Sequence, residues 1–208
     1  GDLYQKGTLA PTNPVSVYYG GKELTPEEST NTSFGFVWDA TDALNVTFDF
    51  YSIELEDRIT QGDDISITAA DIALLQSLGV PGAGDLTNFR FYVNDFDTTT
   101  DGFDIVATYD TEIANGNTSF TFVYSDVETE VDRTGGLIGS GRIDQLEKLL
   151  PGKRWNLSAV HNTGDWRVLG RMNWVDEWFT EEWGGGGGYI SDMSTIDLEV
   201  SRDLGDYT

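Results

Sequence analysis

The chain of 208 residues has no cysteine and one histidine, His161. It therefore has no thiolate nucleophile, no disulfide framework and no cysteine-containing zinc cluster. His161 has no second histidine for a dyad or a metal site, so we expect an interface position for it. The glycine run 184–188 lacks the Lys-Ser/Thr of a phosphate-binding loop, and Tyr189 takes the last position of G-x-G-x-x-G. These absences predict that the protein is not an enzyme.

Basic residues are also scarce, with 12 lysines and arginines against 36 acidic residues and a formal net charge of -24. Binding a phosphate backbone needs a concentrated positive face, so this charge argues against a nucleic-acid partner. Twelve percent aromatic residues are too many for a disordered acidic tail, and 24 glycines with only five prolines favour an all-β protein.

Long apolar runs are missing as well, since no stretch approaches the roughly 20 apolar residues of a membrane-spanning helix. No basic segment followed by an apolar one marks a signal peptide, and the first residue is glycine. We therefore expect a piece of a longer protein whose export signal lies outside this sequence.

Strict two-residue alternation of apolar and polar residues is the strongest pattern present. It predicts about seven strands: 31–38, 44–51, 89–109, 118–124, 155–159, 166–174 and 196–200. Short connections (39–43, 110–116, 162–165 and 202–206) alternate with long ones (60–88, 132–153 and 176–194). This alternation is typical of transmembrane β-barrels, which have short periplasmic turns and longer extracellular loops.

The whole chain, 1–208, is thus predicted to be one partial β-barrel domain, with long external loops at about 1–30, 60–88, 132–153 and 176–194. Two loops contain short helical patterns, one at 68–79 with a capping box formed by Thr68 and Asp71, and one at 143–149. Because single-chain bacterial barrels have an even number of strands from eight upward, seven strands indicate a segment of a larger barrel.

The apolar face of these strands is predicted to contact lipid. Six side chains represent this face: Phe36, Phe48, Ile105, Phe122, Val168 and Leu198. Aromatic residues at the strand ends would form two girdles, with Trp38, Tyr109 and Trp166 beside the short turns and Trp155 and Trp174 towards the long loops. A soluble β-sandwich is the alternative, and it would bury the same face between two sheets.

Three stretches resemble the C-terminal half of the barrel of a TonB-dependent outer-membrane receptor: GGKELTPEESTNTSFGFVWDATDALNVTFDFYSIELEDRIT from Gly20, NDFDTTTDGFDIVATYD from Asn94 and TIDLEVSRDLGDYT from Thr195. The resemblance implies a bacterial outer-membrane location and a 22-stranded barrel with a plug domain that is absent from this segment. It also implies uptake of a scarce nutrient, such as a siderophore, cobalamin or an oligosaccharide. Energy would come from an inner-membrane protein acting through the plug, and outer-membrane lipid and lipopolysaccharide would surround the barrel.

Ligand contacts are predicted at two places. Aromatic residues in the loop 176–194 could stack on a sugar ring or an aromatic siderophore group: Trp178, Phe179, Trp183 and Tyr189. Packing on neighbouring strands is the simpler role for Trp178 and Phe179. Arg167 and Arg171 on the polar face could bind an anionic solute, although neutralising Asp197 and Glu199 is the simpler role for them.

An acidic stripe lies beyond the apolar part of two strands. If 110–116 is a tight hairpin end, three acidic pairs face each other: Asp101 and Asp126, Asp97 and Glu130, and Asp95 and Asp132. Because opposed like charges destabilise a sheet, calcium ions or the neighbouring Arg90 and Arg133 are expected between them. A register shifted by two residues, with solvated acids, is the favoured alternative.

Three functions therefore stay open, in this order: a TonB-dependent import receptor, a secreted soluble β-sandwich that binds or adheres, and a passive porin.

Overall fold

The computed structural model describes residues 6–182 and 186–205. The strands of this part are β1 (Lys6–Thr8), β2 (Glu28–Thr41), β3 (Leu44–Gln61), β4 (Ile65–Ser66), β5 (Asn88–Arg90), β6 (Tyr92–Ile113), β7 (Gly116–Thr134), β8 (Lys153–Thr163), β9 (Trp166–Val175), β10 (Trp178–Glu182), β11 (Gly186–Ile190) and β12 (Met193–Arg202). The helices are α1 (Pro14–Tyr18), α2 (Ala69–Ser77) and α3 (Ser140–Lys148), and Ala83–Asp85 forms a 3₁₀ turn.

Seven of these strands form one sheet in the order β12-β9-β8-β7-β6-β3-β2, and each strand is hydrogen-bonded to the next one in this order. This number and order confirm the seven predicted strands. The strands run further than the alternation indicated, and β6 alone has 22 residues. At about 3.4 Å per residue, such a strand is much longer than the tilted 9–11 residues that cross a bilayer.

Tight turns connect β6 to β7 and β8 to β9. Ala114 and Asn115 have φ angles of 50° and 60°, as a two-residue type I′ turn requires, and Gly164 has a φ of 53° in the next short turn. Asn and Gly tolerate the left-handed region, which suits Asn115 and Gly164, whereas a positive φ is uncommon for an alanine such as Ala114. The connections between β2 and β3, between β6 and β7 and between β8 and β9 are shorter than predicted.

The chain divides into two compact units. The loop unit comprises Gly1–Thr30, Glu54–Thr99 and Val131–Ile143, and the sheet unit comprises Asn31–Ile53, Thr100–Glu130 and Asp144–Thr208. Each unit takes residues from segments that are far apart in the sequence.

The loop unit has a dry hydrophobic core. Its fully or nearly fully buried apolar residues include Leu9, Val15, Leu75, Ala83, Phe89, Phe91 and Val93. A small sheet in the order β1-β5-β4 contributes to this core. The sequence patterns predicted neither this sheet nor α1, and the predicted strand 89–109 is in fact two strands, β5 and β6, with Phe91 between them.

The capping box at the start of α2 confirms the helix predicted at 68–79. The Thr68 hydroxyl accepts a hydrogen bond from the Asp71 N–H, and the Asp71 carboxylate accepts one from the Thr68 N–H. The Tyr19 hydroxyl also donates to Asp71, at 3.1 Å. Burial opposes ionisation of Asp71, but the hydrogen bonds from Thr68 and Tyr19 outweigh it and lower the pKa of the carboxyl.

The register of the sheet unit places apolar residues beside apolar ones. Phe122 pairs with Leu157, Leu157 with Met172, and Met172 with Ile196. Trp155 pairs with both Tyr124 and Trp174, which forms the start of one predicted girdle. Phenylalanine rings continue this aromatic row towards β2, with centroid distances of 5.5 Å for Phe36–Phe48, 6.0 Å for Phe48–Phe103 and 5.7 Å for Phe103–Tyr124.

These apolar side chains do not lie in a dry interior. Leu198 is 80% exposed, and Phe36, Phe122 and Val168 are also exposed, while Phe48 and Ile105 are half-buried. The buried apolar residues of the described chain all belong to the loop unit. Among its described residues, the sheet unit therefore has no packed core of the kind that the soluble sandwich alternative requires.

Within the described residues, the helices are too short or too polar to cross a membrane.

Candidate binding site in the loop unit

A pocket of about 410 Å³ opens in the loop unit. Its lining combines charged, polar and apolar residues: Gly20, Lys22, Glu23, Leu24, Thr25, Asp57, Val93, Asn94, Asp95, Arg133, Gly135 and Leu137. They come from the segment before β2 and from β3, β6, β7 and the connection after β7. A volume of this size suits a small molecule or one group of a larger ligand.

The Asn94 side chain forms hydrogen bonds with the backbone of two other lining residues, Thr25 and Asp57. Its side-chain oxygen accepts from the Thr25 N–H at 2.9 Å, and its amide nitrogen donates to the carbonyls of Thr25 at 3.0 Å and Asp57 at 2.5 Å. One amide therefore replaces a stretch of backbone pairing between the segment before β2 and the strands β3 and β6. Asn94 has little capacity left for a ligand.

Asp57 occupies a left-handed conformation inside strand β3, with a φ of 51°. Aspartate tolerates this region better than most residues, but the conformation is uncommon for any residue with a Cβ atom. The neighbouring strands hold it in place: the Asp57 N–H donates to Asp97 at 2.8 Å, and the Asp57 carboxylate accepts from Arg133 at 3.0 Å. Such backbone outliers often occur at functional sites.

Arg133 connects Asp57 with Asp97. Its Nε and one terminal nitrogen donate to the two oxygens of Asp97 at 2.5 and 2.7 Å, which is the bidentate geometry of strong guanidinium–carboxylate pairs. These hydrogen bonds from Arg133 lower the pKa of Asp97 against a smaller opposing effect of burial, and Asp97 in turn raises the pKa of Arg133. The prediction that Arg133 neutralises the acidic stripe is confirmed at this position.

The ion pair predicts a pH dependence for the loop unit. Because folding lowers the pKa of Asp97, its contribution to stability is complete above the ordinary carboxyl pKa of about 4 and is lost as the pH falls through the folded value. The difference in melting temperature between the native protein and Asp97→Asn should be constant above about pH 5 and should shrink below about pH 4. The control Asp85→Asn removes an exposed carboxylate of the same unit. A difference for Asp97→Asn that grows on acidification would contradict the prediction.

The predicted pairing across the acidic stripe is wrong by two residues. The turn at Ala114 and Asn115 sets the alignment of β6 and β7, and the hydroxyls of Thr100 and Thr129 lie 2.9 Å apart where the prediction put Thr100 opposite Val127. Asp101 therefore does not face Asp126, which accepts instead from the Tyr124 hydroxyl at 3.0 Å. The favoured alternative, a register shifted by two, is the correct one.

The remaining acids of the stripe have individual surroundings. Asp132 accepts from the Thr99 hydroxyl at 2.7 Å. Asp95 is buried and accepts from the backbone N–H groups of Leu137 at 2.9 Å and Ile138 at 3.1 Å. Glu130 is exposed. The part of the alternative that leaves all the acids solvated is therefore wrong for Asp95.

The calcium ions predicted at this stripe are untested, and the alternative partner Arg133 already contacts Asp97. No group of three or more acidic or histidine side chains suited to a metal ion occurs among residues 6–182 and 186–205. Since Asp95 and Asp97 already accept hydrogen bonds from N–H donors, we expect a chelator to leave the melting temperature of the complete protein unchanged. A clear decrease with EDTA, reversed by calcium, would restore the cation hypothesis.

The loop 176–194 contains a hairpin that the sequence patterns did not predict. Strands β10 and β11 are antiparallel, with Trp178 opposite Ile190 and Phe179 opposite Tyr189. The rings of Phe179 and Tyr189 meet edge to face at a centroid distance of 5.7 Å, and Tyr189 is 56% exposed. Trp183, the fourth predicted aromatic contact, lies outside the described residues.

The Phe179 ring crosses the hairpin beside Gly187. A Cβ atom at Gly187 would overlap that ring, whereas a Cβ at Gly188 would meet nothing within 4 Å. We expect Gly187→Val to displace Phe179 and destabilise the hairpin by about 1–3 kcal/mol, as overpacking does elsewhere. Limited proteolysis within 178–190 measures this effect, and Gly188→Val is the matched control. Equal cleavage rates for the two variants would contradict the prediction.

Arg167 and Arg171 lie on the polar face of the sheet unit. Arg167 donates to Glu199 at 2.9 Å, so its predicted neutralising role is confirmed. Arg171 pairs in register with Ser158 and Asp197 but forms no salt bridge with any described residue, and Asp197 accepts instead from Asn173 at 3.2 Å. Neither arginine belongs to the pocket of the loop unit.

The sequence matches the family described as "TonB dependent receptor-like, beta-barrel" over residues 1–208. The chain belongs to this family. As a TonB-dependent receptor barrel segment it lies in the bacterial outer membrane, which confirms the predicted location and the partial barrel. The exposed apolar side chains of the sheet unit, such as Phe122 and Leu198, are the ones that we expect to face lipid.

Solved receptor structures share the fold. The FrpB iron transporter of Neisseria meningitidis in its apoprotein form is 12% identical, with a TM-score of 0.59 over 86% of this chain and 25% of its own. The ferripyoverdine receptor of the Pseudomonas aeruginosa outer membrane, bound to ferripyoverdine, is 18% identical, with a TM-score of 0.54 over 89% and 22%. The copper transporter OprC is 14% identical, with a TM-score of 0.57 over 94% and 26%. No curated protein sequence matches the chain.

This receptor segment spans about a quarter of the length of the solved chains that it resembles. Sequence reasoning found Arg133 as a partner of the acidic stripe but did not find Asp57, Asn94, Lys22 or Glu23. Asp57 interrupts an alternating strand without a glycine or proline beside it, so no local signal marks its left-handed backbone.

Proposed function

We propose that the chain is part of a receptor that imports a scarce nutrient across the outer membrane, with energy supplied from the inner membrane. The candidate cargo is a siderophore, cobalamin or an oligosaccharide. Support comes from family membership and from structural neighbours whose names specify an iron transporter, a receptor bound to ferripyoverdine and a copper transporter. In such a receptor the energy would act on a plug domain.

The pocket of the loop unit is the observation that carries this proposal. The loop unit is formed from the long connections and from the strand ends that run into them, and long connections of outer-membrane barrels are extracellular. Asn94 holds the backbone of Asp57, Asp97 holds Arg133, and the lining residues Val93 and Leu137 belong to or pack against the hydrophobic core, so this part of the pocket is ordered without a ligand. Ordered pockets bind small molecules with less loss of conformational entropy.

The hairpin β10–β11 is the second proposed contact. Tyr189 offers an exposed ring, and Phe179 supports it from the paired position. Such rings can stack on a sugar or on an aromatic chelating group, and Trp178 is a further proposed contact. Arg167 and Arg171, on the polar face of the sheet unit, are the proposed contacts for an anionic part of the cargo.

The outer membrane itself is the remaining proposed partner. The rings of Phe36, Phe48, Phe103, Tyr124 and Trp155 would contact acyl chains near the headgroups, where aromatic girdles of such barrels lie. Lipopolysaccharide would surround this level of the outer leaflet.

Uptake by the complete receptor in an outer membrane tests the proposal. Cells expressing it are given labelled ferric siderophore, cobalamin or oligosaccharide, with and without an uncoupler of the inner-membrane proton gradient. A receptor of this type should accumulate one of these cargoes with saturation, and the uncoupler should abolish accumulation. A passive porin would give uptake that neither saturates nor responds to the uncoupler, and that result would overturn the proposal.

A further inference from the structure

The pocket of the loop unit holds charged groups whose hydrogen-bonding capacity is unused by the described residues. Arg133 donates through Nε and one terminal nitrogen, which leaves the two N–H groups of its Nη1 atom without a described acceptor. Asp57 accepts from Arg133 through Oδ1 only, so its Oδ2 atom is open. Lys22 and Glu23 line the same pocket and form no salt bridge within the described part of the chain.

Both signs of charge are therefore available to one ligand. An anion bound at Lys22 and Arg133 would be repelled by Asp57 and Glu23, and a cation bound at these carboxylates would be repelled by Lys22 and Arg133. At separations of a few ångströms near a protein surface, each such repulsion is significant. A ligand that carries both charges meets attraction on both sides.

Two of the four charged groups, Arg133 and Asp57, are held in position by neighbouring residues. Arg133 is 52% exposed, yet Asp97 and Asp57 hold its planar fork from two directions. Asp57 is held in turn by hydrogen bonds from its N–H to Asp97 and from Asn94 to its carbonyl. A ligand carboxylate at the free edge of Arg133 would therefore not have to order the side chain first.

We propose that this pocket binds a zwitterionic, amino-acid-like group. The ligand carboxylate would accept from Arg133 Nη1 and Lys22, and the ligand ammonium would donate to Asp57 Oδ2 and Glu23. About 410 Å³ accommodates a dipeptide or one amino-acid portion of a larger cargo. The inference rests on the proposed function, because it names the chemistry of the nutrient that the receptor captures.

Calorimetric titration of the complete receptor in detergent tests this chemistry with three probes. Glycylglycine carries both charges, N-acetylglycine only the carboxylate, and glycinamide only the ammonium. We expect binding of glycylglycine and at least about tenfold weaker binding of each single-charge probe, since a site built for paired polar groups rejects analogues that lack one. Equal binding of N-acetylglycine and glycylglycine would identify a simple anion site and overturn the inference.

Single substitutions assign the two ends of the ligand. Lys22→Gln should weaken glycylglycine binding about tenfold and leave glycinamide unaffected, and Glu23→Gln should weaken glycylglycine equally and leave N-acetylglycine unaffected. Both residues are exposed, so the loop unit should keep its fold, which hydrogen exchange can verify. Lys153→Gln, in the sheet unit, is the charge-matched control.

The inference and the proposed function fail separately in these experiments. Energy-dependent uptake without any glycylglycine binding to the folded receptor overturns the inference and keeps the import function. Glycylglycine binding without uptake of any cargo supports the inference and removes active import.

Discussion

A single arginine on the lipid-facing side of the sheet unit should destabilise the barrel strongly, whereas the same residue one position away should not. In Phe122→Arg the charge would project from the row formed by Phe122, Leu157, Met172 and Ile196. Arginine at the bilayer midplane costs about 2–4 kcal/mol in barrels of this type. We expect a corresponding decrease in the free energy of unfolding and less folded receptor in the outer membrane.

Thr121→Arg is the matched control, because Thr121 is the preceding residue on β7 and belongs to the opposite, polar face, where it pairs with Ser158. Its effect should stay below about 1 kcal/mol, as for surface positions in general. Urea unfolding of the complete receptor in lipid vesicles gives both free energies. Equal effects at the two positions would mean that Phe122 does not face lipid.

Truncation of Phe89 should produce the second large effect, and this effect should be confined to the loop unit. Phe89 is 0% exposed in the core of the loop unit. The centroid of its ring lies 5.5 Å from that of Tyr19 and 6.4 Å from that of Phe91. Phe→Ala changes in cores cost about 3–5 kcal/mol through lost burial and the cavity that remains. Protection against hydrogen exchange in Glu54–Thr99 should therefore fall sharply in Phe89→Ala.

Tyr92→Ala removes an exposed aromatic ring from the same unit and should leave this protection nearly unchanged. Exchange in β8 and β9 should be the same in the native protein and both variants, since these strands belong to the sheet unit. Loss of protection across β8 and β9 in Phe89→Ala would show that the two units unfold together.

The barrel strands could be predicted because their environment repeats every two residues. Lipid on one side and water on the other impose alternation, and this is why the seven strands of the sheet could be predicted. Register depended on the turn, and the prediction failed there by two residues since Ala114 and Asn115 close a tighter loop than the one assumed. A register shift of two residues keeps every side chain on the same face of the sheet. The error therefore changed which residues the acids pair with, but it moved no side chain from the lumen side to the lipid side.

The loop unit was harder to predict from local patterns. Phe89 and Phe91 alternate like strand residues, but they pack into a core whose other members come from distant segments, including Leu9, Val15 and Leu75. Only the capped helix α2, with Thr68 and Asp71, carried its own local signal. The pocket depends on Asp57 and Arg133, which are 76 residues apart in the chain. Contacts between residues so far apart in the chain produce no periodic pattern in the sequence.

The core of the loop unit also determines when this part of the receptor can become rigid. Val15, Phe89 and Leu137 come from three separate stretches of the chain, with barrel strands between them. No single stretch can bury its apolar side chains alone, so we expect none of them to become ordered by itself. The core should form only once all three stretches are present together, and the pocket of the loop unit should therefore become rigid late in folding.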